Sequence, residues 1–214
     1  MDEKIKNMVD KIQLIGHAAV RIAASKTIYI DPWKLPASMG GDGDLVLVTH
    51  NHYDHFSVPD IKKALAKDGK TLVAECCREQ FPTASLYTLA YMKHRIAGLD
   101  VYATAAYNTD KQFHTREMGF VGYIIELDGV KIYQTGDCDA FPHMRDFECD
   151  IVLLPVSGTY VMNPSQAVDA VNMLKPKVAI PIHWGDPDVV GSRKDAEEFQ
   201  RLAPCEVVIK DPIR

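Results

Sequence analysis

The order of elements along the 214-residue chain predicts an α/β fold of the α+β kind, with two β-sheets packed face to face and helices on the outer faces. Three observations carry this. Short β-branched runs dominate the first third and the middle, helical stretches occur singly between them, and Asp128-Gly129 separates two apolar runs at the spacing of a two-residue hairpin. No internal repeat or low-complexity linker interrupts the sequence, so residues 1–214 read as one domain.

Residues 11–15, 20–23 and 27–30 form the opening strands, separated by Gly16-His17 and Ser25-Lys26, and Asp31-Pro32 stops the third. Gly40-Gly41-Asp42-Gly43-Asp44 is a loop leading into the wholly apolar run 45–48, the pattern of a strand buried on both faces. A helix follows. Ser57 is its cap, Asp60 stands three places on, Pro59 lies in the first turn, Ile61, Ala64 and Leu65 form its apolar face, and Gly69 ends it. Residues 71–74 return as a strand, 78–97 read as helix or irregular structure, and 101–105 form another strand. The runs 120–127 and 130–134 flank the Asp-Gly turn. In the last third, strands at 151–154, 178–182 and 206–210 alternate with two helices. The first opens at Asn163-Pro164 and closes at Lys175-Pro176, and the second is capped by Ser192 and ends at Pro204.

Composition excludes several classes of protein. With 47% hydrophobic and 25% charged residues the chain is of globular type, and no run approaches the roughly 18 consecutive apolar residues of a membrane helix. The start Met1-Asp2-Glu3-Lys4 is charged and no apolar stretch follows it, against the pattern of a secretory signal. A formal net charge of -5 offers no footprint for nucleic acid or an anionic membrane, which leaves a small molecule as the expected partner. The five cysteines, without CxxC spacing, suit a reducing compartment, so a cytoplasmic location is expected.

Histidine stands out. Thr49-His50-Asn51-His52-Tyr53-Asp54-His55 follows the apolar strand directly and precedes the capped helix. Alternate residues of an extended segment point the same way, so His50 and His52 can converge on one ion, while Asp54 and His55 face a second position as the chain turns. Imidazole nitrogen and carboxylate oxygen suit zinc and its first-row neighbours, and a catalytic site keeps a coordination position for water.

His50-x-His52-x-Asp54-His55 resembles the HxHxDH signature of the metallo-β-lactamase-fold hydrolases. That resemblance implies a four-layer αββα sandwich and two divalent metal ions, zinc (Zn2+) or manganese (Mn2+), at the edge where the sheets meet. It also implies three further ligands from later loops. Asp137 in Gln134-Thr135-Gly136-Asp137 matches the aspartate shared by both metals, and His183 in Ile180-Pro181-Ile182-His183-Trp184 matches the last histidine. His114 matches the intermediate histidine, with Asn108 as a rival occupant. The implied first site is His50, His52 and His114. The second is Asp54, His55 and His183, with Asp137 bridging. Gly16-His17-Ala18, Asp31-Pro32-Trp33 and Pro155-Val156-Ser157-Gly158-Thr159-Tyr160 look like the branch containing ascorbate-6-phosphate lactonases. Cys138 departs from relatives that carry Thr there, and a buried filler is the expected role.

In such a site the paired cations acidify water and polarise the oxygen of the bond under attack, without an activated serine. Asp54 is the expected catalytic residue, orienting the attacking water, and Asp31 and His17 are candidates to hold the ligand imidazoles from outside. Trp33, Tyr53, Tyr107, Tyr160 and Trp184 neighbour motif residues and are candidate pocket walls, with Tyr160 a candidate proton donor to the leaving group. The leading expectation is a metal-dependent hydrolase of a small ester-like bond, a lactone or phosphoester. A phosphodiesterase or nuclease and a di-iron redox protein are the alternatives on the same fold.

Overall fold

The computed structural model describes residues 2–214, so Met1 of the charged start lies outside the described residues. Helix α1 (Glu3–Lys11) comes first, capped by the Asp2 carboxylate accepting from the Lys4 N–H at 2.9 Å. It buries Ile5, Met8 and Val9, whose i, i+3, i+4 spacing is that of one helix face. The sequence reading passed over this helix because charged residues outnumber apolar ones there, although Asp2 and that spacing were visible.

Strands β1 (Ile12–Gly16), β2 (Ala19–Ala23) and β3 (Thr27–Ile30) pair antiparallel in order, and β4 (Gly43–Val48) then pairs parallel to β3. Leu45, Val46, Leu47 and Val48 are wholly buried, each contributing roughly 1.5–3 kcal/mol of burial free energy. Helix α2 (Val58–Ala64) has the expected Ser57 cap but is shorter than expected, because Leu65 opens β5 (Leu65–Ala74). Pairing of β5 along β4 claims Leu65 and the residues before Gly69, so the tertiary ladder overrides local helix preference. Within 78–97, read as helix or irregular, stand two short strands instead, β6 (Leu86–Thr88) and β7 (Lys93–Ile96). Short edge strands with little periodicity offer few sequence cues.

Strand β6 closes the first sheet, in the order β1-β2-β3-β4-β5-β6. The second sheet begins at β7 and continues through β8 (Leu99–Ala105), β9 (Val121–Leu127), β10 (Val130–Gln134), β11 (Ile151–Pro155), β12 (Val178–Ile182) and β13 (Glu206–Val207). The Asp128-Gly129 turn joins β9 and β10 as expected, whereas β13 covers only the start of the expected 206–210. Helix α3 (Pro164–Leu174) carries an Asn163 capping box and packs on α4 (Arg193–Leu202) beside β12. The result is the expected mixed sandwich of two sheets with helices.

Strand direction positions the site. Because β3 and β4 run parallel, Asp31 and Thr49 leave the first sheet at the same edge. Because β10, β11 and β12 run parallel, Asp137, Ser157 and His183 leave the second sheet together. The two edges are pinned to each other. The Val121 N–H donates to the Thr49 carbonyl at 3.1 Å, and the buried Tyr123 hydroxyl donates across the sandwich to the Val48 carbonyl at 2.8 Å. His17 and its neighbours add a second clasp, with His17 N–H donating to Trp184 O and His183 N–H to His17 O.

Tyr123→Phe removes the cross-sheet hydroxyl without changing ring volume. The expected loss is about 1–2 kcal/mol of stability, seen as a lower urea midpoint with unchanged slope. A fall below about 0.3 kcal/mol would show that the sandwich does not depend on this bond.

Candidate metal centre

The segment after β4 turns sharply. His55 and Phe56 N–H groups both donate to the His52 carbonyl, at 3.0 and 2.9 Å, which folds Asp54 and His55 back toward His50 before α2 begins. The Gly136 backbone has φ +69°, and a Cβ there would lie 2.6 Å from the Val121 carbonyl, so glycine alone lets the chain leave β10 and present Asp137. His17, Asp31, His114 and His183 also adopt positive φ, between 48° and 64°. Non-glycine residues rarely take this conformation, and their concentration around one cluster is typical of functional sites.

Among the described residues three sets of donors converge, each with its ligand atoms within 4.8 Å of one another. They are His50, His52 and His114; His17, Asp54, His55 and His183; and His50, His55 and Asp137. Asp137 lies between the other two sets. Its Oδ2 is 3.1 Å from His183 Nε2, 3.3 Å from His55 Nε2, 3.5 Å from His114 Nε2 and 3.9 Å from His50 Nε2. All seven residues singled out in the sequence are therefore brought together. The structure adds His17, expected only as an outer support, whose Nε2 lies 3.0 Å from Asp54 Oδ2. Asn108, the rival occupant, is engaged with the loop backbone beside His114. Its amide donates to the Phe113 and Tyr160 carbonyls at 2.8 and 2.7 Å and holds the loop that presents His114.

Four of the imidazoles, those of His50, His55, His114 and His183, are held from outside at Nδ1 and turn Nε2 toward the cluster. His55 Nδ1 donates to Asp31 Oδ2 at 2.9 Å. The Thr49 hydroxyl donates to the same oxygen at 2.7 Å and accepts from His50 Nδ1 at 2.9 Å. His114 Nδ1 donates to the Tyr160 carbonyl at 3.0 Å, and His183 Nδ1 pairs with Ser157 Oγ at 2.7 Å. The buried Nε2 atoms of His50 and His55 have no hydrogen-bond partner and point into the cluster. An orphaned imidazole nitrogen beside a buried carboxylate is what a cation would satisfy, so the donor set fits a metal ion. Thr49 and Ser157 escaped the sequence reading, since a hydroxyl carries no mark of its long-range partner.

Electrostatics prepare the same state. Burial opposes the Asp137 charge, but His183 and His55 beside it hold its carboxyl well below the usual range. Asp54, despite burial, is held down to about 2 by the His17 contact. Burial pushes His50 well below its ordinary value, with His55 adding to the effect, and it also lowers His52 and His114. His17 falls to about 4 through burial and His183. His55 alone moves up: burial works against its charge, but Asp137 and Asp31 outweigh burial and raise it well above the ordinary value. At neutral pH these directions favour ionised Asp54 and Asp137, neutral His17, His50, His52 and His114, and a protonated His55.

A cavity of about 380 Å³ opens onto the cluster, with Tyr53, Phe113, Tyr160, Asp188, Val189 and Val190 around it. Of the expected aromatic walls, only Tyr53 and Tyr160 line it. Trp184 is buried with its Nε1 donating to the Pro181 carbonyl, Tyr107 stacks on Phe141 at 4.5 Å, and Trp33 sits behind Tyr53 under Lys34. Cys138 is fully buried against the Thr135 carbonyl, and burial pushes its thiol up, as a filler residue requires. A wider groove of about 1030 Å³ over Tyr91, Tyr102 and Phe147 holds none of the converging donor sets.

Two outcomes follow for metal binding. Asp31→Asn keeps the side-chain shape but weakens the grip on His50 and His55 together, so zinc affinity should fall about 10- to 100-fold, measured by chelator competition. An affinity within twofold of the parent would remove Asp31 from the site. Because the proton on His55 must leave before its Nε2 can bind a cation, apparent affinity should rise with pH until the raised His55 value is passed. Calorimetry at pH 7 in buffers of different ionisation enthalpy should register about one proton released on loading. Zero release would contradict the assigned charge state.

Comparison with known proteins agrees with the geometry. Residues 11–183 match the family described as the Beta-lactamase superfamily domain. A UPF0173 metal-dependent hydrolase of Thermococcus onnurineus is 32% identical over 220 residues, spanning 94% of this chain and 96% of the relative. The crystal structure of a candidate metal-dependent hydrolase from Parabacteroides distasonis is 26% identical and superposes with a TM-score of 0.80, covering 95% of this chain and 93% of that one. Igni18, a metallo hydrolase of Ignicoccus hospitalis, shares the fold at 22% identity and a TM-score of 0.74, covering 94% of each chain. The chain belongs to the β-lactamase superfamily and, within it, to the UPF0173 family of metal-dependent hydrolases.

Proposed function

We propose that the protein hydrolyses a small ester-like bond, a lactone or phosphoester, at two divalent ions. Zinc is the expected metal, and manganese suits the carboxylate donors of the same set. The carrying observation is the position of the Asp137 carboxylate, with four imidazole nitrogens within 3.9 Å of one oxygen. In this reading His50, His52 and His114 hold the first ion, Asp54, His55 and His183 the second, and Asp137 both.

When bound, the ions would supply Lewis acidity and lower the pKa of water. The chain's own residues do the rest. Asp54 accepts a hydrogen bond from the attacking water and is itself fixed by His17 Nε2 at 3.0 Å. The water oxygen bonds to the carbonyl or phosphoryl centre, the ester C–O or P–O bond breaks, and the leaving oxygen takes a proton. Tyr160 lines the cavity and is the hydroxyl we assign as its donor. Asp31, Thr49 and Ser157 hold the ring tautomers throughout, so no donor reorganises during the reaction.

The partner is a small molecule rather than nucleic acid or a membrane, in keeping with the net charge of -5. No helix among the described residues is long and apolar enough to cross a membrane. Five unpaired cysteines support a cytoplasmic setting. Resemblance to the ascorbate-6-phosphate lactonase branch rests on the segments around His17, Trp33 and Ser157. All three supply groups that contact the donor sets, His17 on Asp54, Asp31 on His55 and Ser157 on His183.

Asp137→Asn tests the two-metal reading, since it keeps shape and removes the charge that offsets repulsion between neighbouring cations. The variant should hold at most one ion by elemental analysis and lose at least about 100-fold in turnover, with its circular dichroism unchanged. Two retained ions and near-normal turnover would sink the bridging assignment.

A further inference from the structure

The cavity has a floor and a rim of different chemistry. His52, Asp54, His114, Asp137 and His183 form the floor. The rim is Tyr53, Phe113, Tyr160, Val189, Val190 and Asp188, drawn from four loops far apart in sequence. Its large apolar side chains face water: Tyr53 is 67% exposed, Phe113 51%, Tyr160 38% and Val190 36%. Phe113 and Tyr160 meet edge to face at 4.8 Å, which makes their exposed surface continuous. One exposed apolar residue needs no explanation, but a cluster of them around a polar floor marks a binding surface.

Charge at the rim is also one-sided. No lysine or arginine lines the cavity, and Asp188 is the charged group beyond the floor. Two nearby cations are already paired. Lys34 Nζ lies 2.5 Å from Asp188 and 3.0 Å from Asp186, and Lys111 pairs with the buried Asp139. An anionic group carried away from the reacting bond would therefore meet apolar surface and the Lys34-paired carboxylate of Asp188, with no lysine or arginine lining the cavity to receive it.

We infer that the substrate is an uncharged carboxylic ester or lactone bearing an aliphatic or aromatic tail that lies on the Tyr53, Phe113, Tyr160 and Val190 rim, and that substrates carrying an anionic group on that tail are disfavoured. This rests on the hydrolase reading and narrows it. Water adds to the acyl carbon, the acyl C–O bond breaks, and a carboxylic acid and an alcohol, or one hydroxy acid, leave. A tail on the rim stays clear of the floor, so chain length acts on binding.

Hydroxamates separate rim from turnover, because the head group binds metal whether or not an ester is cleaved. Titrating the zinc-loaded protein calorimetrically, octanohydroxamate should bind at least tenfold more tightly than acetohydroxamate. A ligand of equal length ending in a carboxylate should lose most of that gain. Phe113→Ser should shrink the chain-length gain severalfold, and Asp188→Lys should remove the penalty on the carboxylate tail. In parallel, turnover is measured on p-nitrophenyl acetate and hexanoate, alkyl γ-lactones, p-nitrophenyl phosphate and bis(p-nitrophenyl) phosphate. Faster kcat/KM on hexanoate and alkyl lactones, with the phosphates slow, supports the inference. Equal hydroxamate affinities, a preferred carboxylate tail, or phosphates turned over faster than every ester overturns it and leaves the hydrolase reading standing. A clear chain-length gain in binding with no turnover of any ester, lactone or phosphate overturns the hydrolase reading instead.

Discussion

The buried carboxylate of Asp31 organises the centre. It accepts from the Thr49 N–H at 2.8 Å, the Thr49 hydroxyl at 2.7 Å and His55 Nδ1 at 2.9 Å, and through the hydroxyl it also fixes His50. One side chain at the end of β3 thereby sets the ring tautomers of histidines in different donor sets. Such an anion is costly to bury unless nearly every lone pair is used, and here three donors surround it, one of them the His55 imidazole. Burial still pushes the Asp31 carboxyl up from its ordinary value, so its charge depends on those partners remaining in place. The dependence runs both ways. Asp31 holds the imidazoles, and the His55 imidazole beside it favours the ionised form of Asp31 against burial.

This arrangement explains why the strain is where it is. His17, Asp31, His114 and His183 each occupy the left-handed backbone region, which costs on the order of 1 kcal/mol or more apiece for a non-glycine residue. Each sits where a strand or loop must reverse to aim a side chain at the cluster. The sandwich supplies the opposing rigidity, with Leu45–Val48 wholly buried and Tyr123 tied across to Val48. His17 and His183 are additionally clasped backbone to backbone, so the strained turns of the two sheets restrain one another. Ligand atoms mounted on such elements keep their positions before a cation arrives, which is the condition for tight and selective binding.

Legibility in the sequence followed locality. His50, His52, Asp54 and His55 fall within six consecutive positions behind an apolar run, and their chemistry is readable without a partner. Asp137 and His183 were legible because each ends a strand, and parallel strands deliver their ends to one edge. His114 and Asn108 lie in the same loop before β9 and look alike in sequence; in the fold His114 Nε2 lies 3.5 Å from Asp137, while the Asn108 amide donates to loop carbonyls. The supporting hydroxyls of Thr49 and Ser157, and the rim residues Phe113 and Asp188, act through contacts 18 to more than 100 residues away or through position alone, which no local pattern encodes. The errors in the fold have the same cause. Leu65 has helical company on one side, yet β4 captures it as a strand, and β6 and β7 exist through their pairing rather than their composition.

Floor and rim also differ in how far they are coupled to the fold. Floor donors are held by paired strand ends, buried hydrogen bonds and each other, so replacing one disturbs several. Rim residues come from segments outside the ladders: Tyr53 in the turn before α2, Phe113 in the loop before β9, and Asp188, Val189 and Val190 between β12 and α4. Their side chains are solvated and can change without moving a donor atom. Apart from Tyr160, which belongs to both, chemistry and substrate choice are therefore carried by separate physical layers. The floor fixes which bond can be attacked, and the rim, through apolar surface and the absence of a lining lysine or arginine, sets which molecules present that bond long enough to react.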